Sequence, residues 1–492
     1  MQLKIKISDW DAGLPVIMLR KKTAEKLGVH PKQRLLIKTL GKNSKQIYAI
    51  VDIFEKVLKE NEIAISTEVK KRLGVKVGQK VKLSLAKPPQ SLGLIKNKLN
   101  GKELSEGDIA KIIKDIVENN LSEAEIALFV SAMYKSKMNF DETIGLIKAI
   151  LEYGERMKFR EKYVVDKHCI GGIAGNRTTP IVVAICASQG LIMPKSSSRA
   201  ITSAAGTADV IETLSPIDLS MKKVKAIVKK TNACMVWGGG LGMVPADSKI
   251  ISIEKELGID PEAQLLASVM AKKLAAGSKY ILIDIPHGKF AKVTKAKAEK
   301  LKLKFEKIGK YFNVKMRVVL TKGDSPIGNG VGPILEMNDV LKVLDPDKEG
   351  PKDLEKKSIY LAGEIFEMTK MCKKGKGKLL AKYFLETGQA YDKFEEIINA
   401  QGGKIKTLKP AKLNHEILAK RKVKIKGIHN KKINTLARIA GCPLDHGAGV
   451  HLHKKVGERV KKGERLLTIY SESKERLGEA ISFFEKEKPI SY

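Results

Sequence analysis

Residues 162–214 read KYVVDKHCIGGIAGNRTTPIVVAICASQGLIMPKSSSRAITSAAGTADVIETL. Two kinds of segment alternate within this stretch. Tyr163 to His168 is short and β-branched, as a strand is, while Thr178 to Gln189 is an apolar run of helical length. GLIMPK (190–195) reads as the next strand and GTADVIETL (206–214) as the next helix, with a Ser/Thr/Ala-rich loop between them. Strand–helix–strand–helix order implies parallel strands joined by helical crossovers, an α/β domain with a parallel or mixed sheet. MVWGGG (235–240), YILIDIP (280–286) and MRVVLTKG (316–323) add strands, and a long helix is expected from Asp260-Pro261 to its stop at Gly277. This domain is assigned to 160–410.

Both loops of the stretch follow a strand and open a helix, at the sheet edge where open α/β folds bind ligands. The first, DKHCIGGIAGNRTT (166–179), combines glycines that let the backbone approach a ligand with N–H groups at a helix start. Lys167 adds charge and Thr178 a hydroxyl. The pattern is not GxGxxG, which argues against a dinucleotide. A glycine-rich turn of this kind also serves simply for packing. The second loop, SSSRAITSAAGTADVIE (196–212), crowds six hydroxyl residues and one Arg beside small residues. Hydroxyls and a guanidinium satisfy phosphate oxygens. Two such loops on adjacent strands point to two phosphate-like groups, or to one phosphate and a ribose.

Upstream, residues 92–155 carry helical periodicity. Ser105 with Asp108, then Ser122 with Glu125, mark helix starts, and Asp141 is the expected cap of a third helix. A helical bundle follows, joined by about 245–276. Residues 1–86 contain a repeat: Leu27-Gly28-Val29 recurs as Leu73-Gly74-Val75 within similar strand–helix–turn–strand surroundings. Two interleaved halves make a small β-barrel, which resembles the double-psi barrels at the front of some large ATPases. It holds no cluster of His, Cys or paired acids, so assembly or stability is its expected role. Lys87-Pro88-Pro89-Gln90-Ser91 is a linker signal. From 412 to 492 the chain reads as an α+β domain, and GAGVHLHKKVGERVKKGERLLTIYS (447–471) resembles lipoyl-like hammerhead barrels without their attachment lysine. No metal is expected at His446, His451 and His453. The basic glycine run at 373–378 lacks the GxxxxGK[ST] spacing of a P-loop and reads as a surface turn.

Lys plus Arg number 92 against 55 Asp plus Glu, a formal charge of +37. That excess suits anionic partners, and equally a lysine-coated surface of the kind hyperthermophiles enrich. Few aromatics and no recognisable binding motif count against specific nucleic-acid recognition. The five cysteines are scattered and odd in number, which is no disulfide framework. With no membrane-length apolar run and no signal peptide at the start, a cytoplasmic protein is expected.

SSRAITSAAGTADVIE (197–212) is similar to the signature of the thymidine and pyrimidine-nucleoside phosphorylase family, and DKHCIGG (166–172) to that family's other phosphate loop. The resemblance extends over 92–492 and includes GGGLGMVPADSK (238–249). The added N-terminal domain, and SSRAITS in place of a glycine-richer run, look like the archaeal AMP phosphorylase branch. That branch implies phosphorolysis of a nucleoside monophosphate: AMP plus phosphate gives adenine plus ribose 1,5-bisphosphate, with CMP and UMP as further substrates. Inorganic phosphate is then a co-substrate met by Lys167, Thr178, Ser197 and Thr207, and no cofactor or metal is implied. Cys169 stands where the pyrimidine enzymes carry a Ser. Gly172, Ser198, Arg199, Ala200, Ile201, Thr202, Ser203 and Thr207 match nucleotide positions, as does Lys292. Ser268 and Lys272, four residues apart on one helix face, match base-side positions. Asp260 matches the proton donor to the base, although the residue before Pro261 is also a natural N-cap. The helical and α/β domains are expected as two lips of a cleft, in a homodimer or larger homo-oligomer. A pyrimidine nucleoside phosphorylase is the alternative within the fold, and a basic nucleic-acid-binding protein the distant one.

Overall fold

The computed structural model describes residues 1–41, 43–200 and 203–492. They form two compact units, Met1–Tyr153 with Pro245–Ser268, and Gly154–Val244 with Val269–Tyr492. The molecule is a multidomain α/β protein with a helical bundle, an α/β domain and a small N-terminal barrel. Among the described residues no helix is long and apolar enough to cross a membrane.

In the first unit six strands close into a barrel, in the order Gln2–Ile7, Glu62–Ile65, Val16–Arg20, Gln46–Phe54, Arg34–Thr39, Lys80–Leu85. Strict alternation puts Leu3 and Ile5, Ile17 and Leu19, and Leu35 and Ile37 inside, with Lys4, Met18 and Leu36 between them on the outer side. The two repeat copies supply equivalent helices, Lys21–Leu27 and Thr67–Leu73, each ended by the glycine of its Leu-Gly-Val. The barrel is tied to the helices. Arg34 donates to the Asn119 carbonyl (3.0 Å), Asn119 to the Tyr48 carbonyl (3.0 Å), and the Tyr48 N–H to Glu118 (3.0 Å).

The bundle holds Ser91–Leu99, Glu106–Val117, Glu123–Ser136 and Phe140–Glu152, with Pro245–Leu257 packed on them. Ser105 and Ser122 form reciprocal capping boxes with Asp108 and Glu125. The third helix differs from expectation: Asn139, not Asp141, caps it. Asn139 accepts from the Glu142 N–H (2.8 Å) and Glu142 reaches back to the Asn139 N–H (2.9 Å), so two orphan donors are satisfied where Asp141 would satisfy one. Glu142 also holds buried Lys98 at 2.7 Å.

In the second unit Val165–Cys169, Tyr280–His287 and Lys315–Lys322 form a parallel sheet with Tyr280–His287 at its centre. Met193–Ser197 pairs in parallel with Ala233–Trp237, and a parallel bridge from Val164 to Ile192 connects the two groups. The helix Thr178–Ser188 is apolar on every side. It lies buried among residues such as Leu361, Ile365, Phe394 and Ile398 from later helices. The C-terminal sheet is antiparallel, ordered Gly330–Val331, Gly449–Leu452, Arg465–Ser471, Leu413–Leu418. Its first strand comes from within the stretch assigned to the α/β domain, so the two regions share a sheet edge. Helices Asn430–Ile439 and Lys474–Glu487 complete this part. In the basic glycine run, the N–H groups of Gly375 and Gly377 hold the Glu367 carboxylate at 2.9 and 3.2 Å.

Candidate active site

The first loop leaves the strand Val165–Cys169 and enters the helix Thr178–Ser188. Alternation along the strand sends Lys167 and Cys169 to one face, Asp166 and His168 to the other. Lys167 is buried and donates to the Thr178 hydroxyl at 2.7 Å and the Thr179 hydroxyl at 3.3 Å. Gly172 has φ +90°, and a Cβ there would lie 2.7 Å from the Cβ of Lys292. Only glycine fits. Two of the expected nucleotide positions, Gly172 and Lys292, are thus brought together. Cys169 accepts from the Asn176 amide at 3.4 Å, and burial raises its thiol further into the neutral range.

The second loop follows Met193–Ser197 and enters Thr207–Glu212. Asp209 organises it by accepting from the N–H groups of Ala200 and Gly206, both at 2.7 Å. The loop folds back so tightly that a Cβ on Gly206 would sit 2.4 Å from the Ser198 carbonyl. Ser203 donates to the Ala205 carbonyl at 2.9 Å. The hydroxyls of Ser196 and Ser197 are buried without a protein partner. Ile201 and Thr202, expected to bind nucleotide, lie outside the described residues. Arg199 is ion-paired within its own loop region. Its guanidinium forks onto Glu212 at 2.5 and 2.7 Å, reaches Asp209 at 3.1 Å and covers the Trp237 ring. Two carboxylates within its reach raise the Arg199 pKa and commit the group to bracing its own loop.

Several residues that sequence reading passed over hold the loops in place. Arg177, at the end of the first loop, donates to the Thr207 hydroxyl (2.8 Å) and the Ala205 carbonyl (2.8 Å) of the second, and to buried Glu336 (2.7 Å). From the helix Asn430–Ile439, Asn430 accepts from the Ala174 N–H and Asn434 from the Ala204 N–H, both at 3.1 Å. One helix face therefore holds one N–H of each loop. A lone Arg directly before a helix was a usable signal for Arg177. Nothing local marks Glu336, Asn430 or Asn434.

Buried ion pairs surround the strand that leads into the first loop. Asp166 pairs with Lys195 (3.2 Å) and Lys273 (2.8 Å), and Asp284 with Lys357 (2.9 Å) while accepting from Thr321 (2.6 Å). Counting Lys167, four buried or nearly buried lysines face two buried aspartates. Burial, reinforced by the neighbouring lysines, lowers Lys167 to about 8 and Lys273 to about 7. Burial and the charges of Lys273, Lys195 and Lys272 drive His168 well below its ordinary range.

The base-side positions lie on and before the helix Glu262–Ala275, with Ser268 and Lys272 one turn apart. The first intrahelical bond runs from the Leu265 N–H to the Pro261 carbonyl, so Asp260 stands one residue ahead of the cap position. Asp260 and Ser268 belong to the first unit, and both loops, Lys272 and Lys292 to the second.

The chain matches the glycosyl transferase family helical bundle domain over 92–154 and the family's a/b domain over 161–390. Residues 424–491 match the pyrimidine nucleoside phosphorylase C-terminal domain. An AMP phosphorylase from Pyrococcus furiosus is 42% identical over 496 residues, covering 100% of this chain and 97% of its own. One from Methanococcus vannielii is 39% identical over 493 residues, covering 99% and 97%. A putative thymidine phosphorylase from Methylococcus capsulatus is 40% identical over 436 residues, covering 88% and 84%. Among solved structures, anthranilate phosphoribosyltransferase from Thermus thermophilus superimposes with a TM-score of 0.53 at 16% identity, over 63% of this chain and 99% of that one. That likeness is one of fold.

Proposed function

The chain belongs to the AMP phosphorylase family of pentosyltransferases, and from that premise we propose that it cleaves AMP with phosphate to give adenine and ribose 1,5-bisphosphate. CMP and UMP are further substrates in this reading. The observation that carries it is the pair of strand-to-helix loops that present directed hydroxyls: buried Lys167 donates to the Thr178 hydroxyl at 2.7 Å, and the Ser197 hydroxyl is buried without a protein partner.

Inorganic phosphate is assigned to Lys167, Thr178, Ser197 and Thr207. The unpartnered Ser197 hydroxyl supports this. Lys167 donates to the Thr178 oxygen, which leaves the Thr178 proton for a phosphate oxygen. The nucleotide is assigned to Gly172, Lys292 and the loop 198–203, where Arg199 acts through the loop it braces. The base is assigned to Ser268 and Lys272, with Asp260 as proton donor. A phosphate oxygen attacks C1′ as the glycosidic bond breaks, and the Asp260 proton passes to the base, which departs neutral. Holding the two reactants together supplies about 7–11 kcal/mol of the barrier. Phosphate is itself the nucleophile, so the reaction needs no cofactor or metal. The same proposal makes the protein a cytoplasmic enzyme, assembled as a homodimer or larger homo-oligomer. Incubation with AMP tests it: adenine release that requires phosphate supports phosphorolysis, and equal release without phosphate contradicts it.

One observation favours a second reading. Arg199 is engaged by Glu212 and Asp209, which withdraws the most obvious cation for a 5′-phosphate. A pyrimidine nucleoside phosphorylase has no need of such a group, and the putative thymidine phosphorylase is 40% identical, although over 88% of this chain where the AMP enzymes cover 99% and 100%.

A further inference from the structure

All three nitrogens of the Arg177 guanidinium are engaged. Its Nε and one terminal nitrogen face Glu336 at 2.7 and 2.6 Å, that same nitrogen donates to the Ala205 carbonyl at 2.8 Å, and the other donates to Thr207 Oγ1 at 2.8 Å. Glu336 is 1% exposed and also accepts from the Gly332 N–H at 3.1 Å, so the Arg177 head is anchored in the interior. A guanidinium has donors and no acceptor. Thr207 Oγ1 must therefore accept from Arg177, and its own proton is turned away from that bond. Thr207 is only partly buried, so this proton is directed where an incoming oxygen can accept it.

We infer that Arg177 is a positioning residue that fixes the Thr207 hydroxyl as a donor toward the phosphate-bearing substrates and locks the second loop to the first through Glu336. The arrangement leaves the hydroxyl proton for an accepting oxygen, such as an ionised phosphate oxygen. It also makes the two loops one mechanical piece, since Arg177 belongs to the first and both Thr207 and Ala205 to the second. This rests on the assignment of Thr207 to phosphate-bearing substrate, and the experiment separates the two claims.

Three variants of the full chain are compared in steady-state kinetics, with KM for phosphate and for AMP read apart from kcat and with thermal midpoints recorded. Thr207→Val removes the donor itself. Arg177→Met with Glu336→Gln removes the buried pair without leaving an orphaned carboxylate, a change that folded proteins generally tolerate. Arg177→Lys keeps a charge against Glu336 but cannot reach Thr207 and Ala205 together, so it serves if the double variant fails to fold. The expected result is that Thr207→Val and the double variant each raise the phosphate or AMP KM by about tenfold or more. The midpoint is retained, and combining all three substitutions adds little further loss. Arg177→Lys falls between. Wild-type KM in a folded Arg177 variant, beside an impaired Thr207→Val, overturns the role of Arg177 and leaves the site standing. Wild-type KM in Thr207→Val overturns the site assignment and this inference with it.

Discussion

Lys167 is buried on a strand, hydrogen-bonded to Thr178 and titrating near 8. An anion above it favours its charged form, so phosphate binding raises this pKa and takes up a proton near pH 8. Phosphate affinity should fall as pH rises through 8, and calorimetry in buffers of different ionisation enthalpy should record the uptake. Without phosphate the sign for folding is the reverse. A lysine held at about 8, below its ordinary value of 10.5, binds fewer protons folded than unfolded in that interval, so stability rises with pH between those values. Saturating phosphate should flatten that rise. Asp260→Asn should lower kcat by about a hundred- to ten-thousandfold, with a smaller change in AMP KM, if Asp260 is the proton donor. At this scale the sequence was legible where partners are neighbours in the chain. Lys167 and Thr178 lie on one strand–loop–helix turn, and the glycine at 172 announces a close approach without saying that Lys292 is what approaches. Arg199 reads in the sequence as a ligand group, and its ion pair with Glu212, one helix later, is not visible there.

The helix Asn430–Ile439 links the C-terminal part to both loops. Asn430 accepts from Ala174 and donates to the carbonyls of Phe290 (3.1 Å) and Gly323 (3.0 Å), so its truncation strips a partner from three backbone groups, those of Ala174 and Gly323 being buried. Asn430→Ala should cost about 1–3 kcal/mol of stability, measured by denaturant unfolding. Asn434 holds a single N–H of the second loop, so Asn434→Ala should cost less stability and act chiefly by raising KM. Equal effects of the two on stability with none on KM would contradict this division. The strands and helices from 162 to 214 were readable because their periods differ sharply. The contacts of the 430–439 helix were not, since they join residues more than 200 positions apart. The helix start at Asn139 was missed for a smaller reason: two plausible caps stood side by side, and the reciprocal bond with Glu142 decided between them.

Across the whole molecule, the N-terminal barrel adds a closed core of its own and fastens to the bundle through Arg34, Tyr48 and Asn119. Its repeat made it visible in the sequence, because two copies of one pattern imply two halves of one structure. If it serves assembly, deleting residues 1–86 should change the oligomer size seen by light scattering while phosphorolysis persists. The charge of +37 was equally plain. The 5′-phosphate is what separates the two readings of the site. Purified protein given AMP or adenosine, each with and without phosphate, provides the direct test by chromatography of the base and the sugar phosphate. Phosphate-dependent formation of adenine and ribose 1,5-bisphosphate from AMP is the predicted result, and adenine released from adenosine but not from AMP would contradict the account.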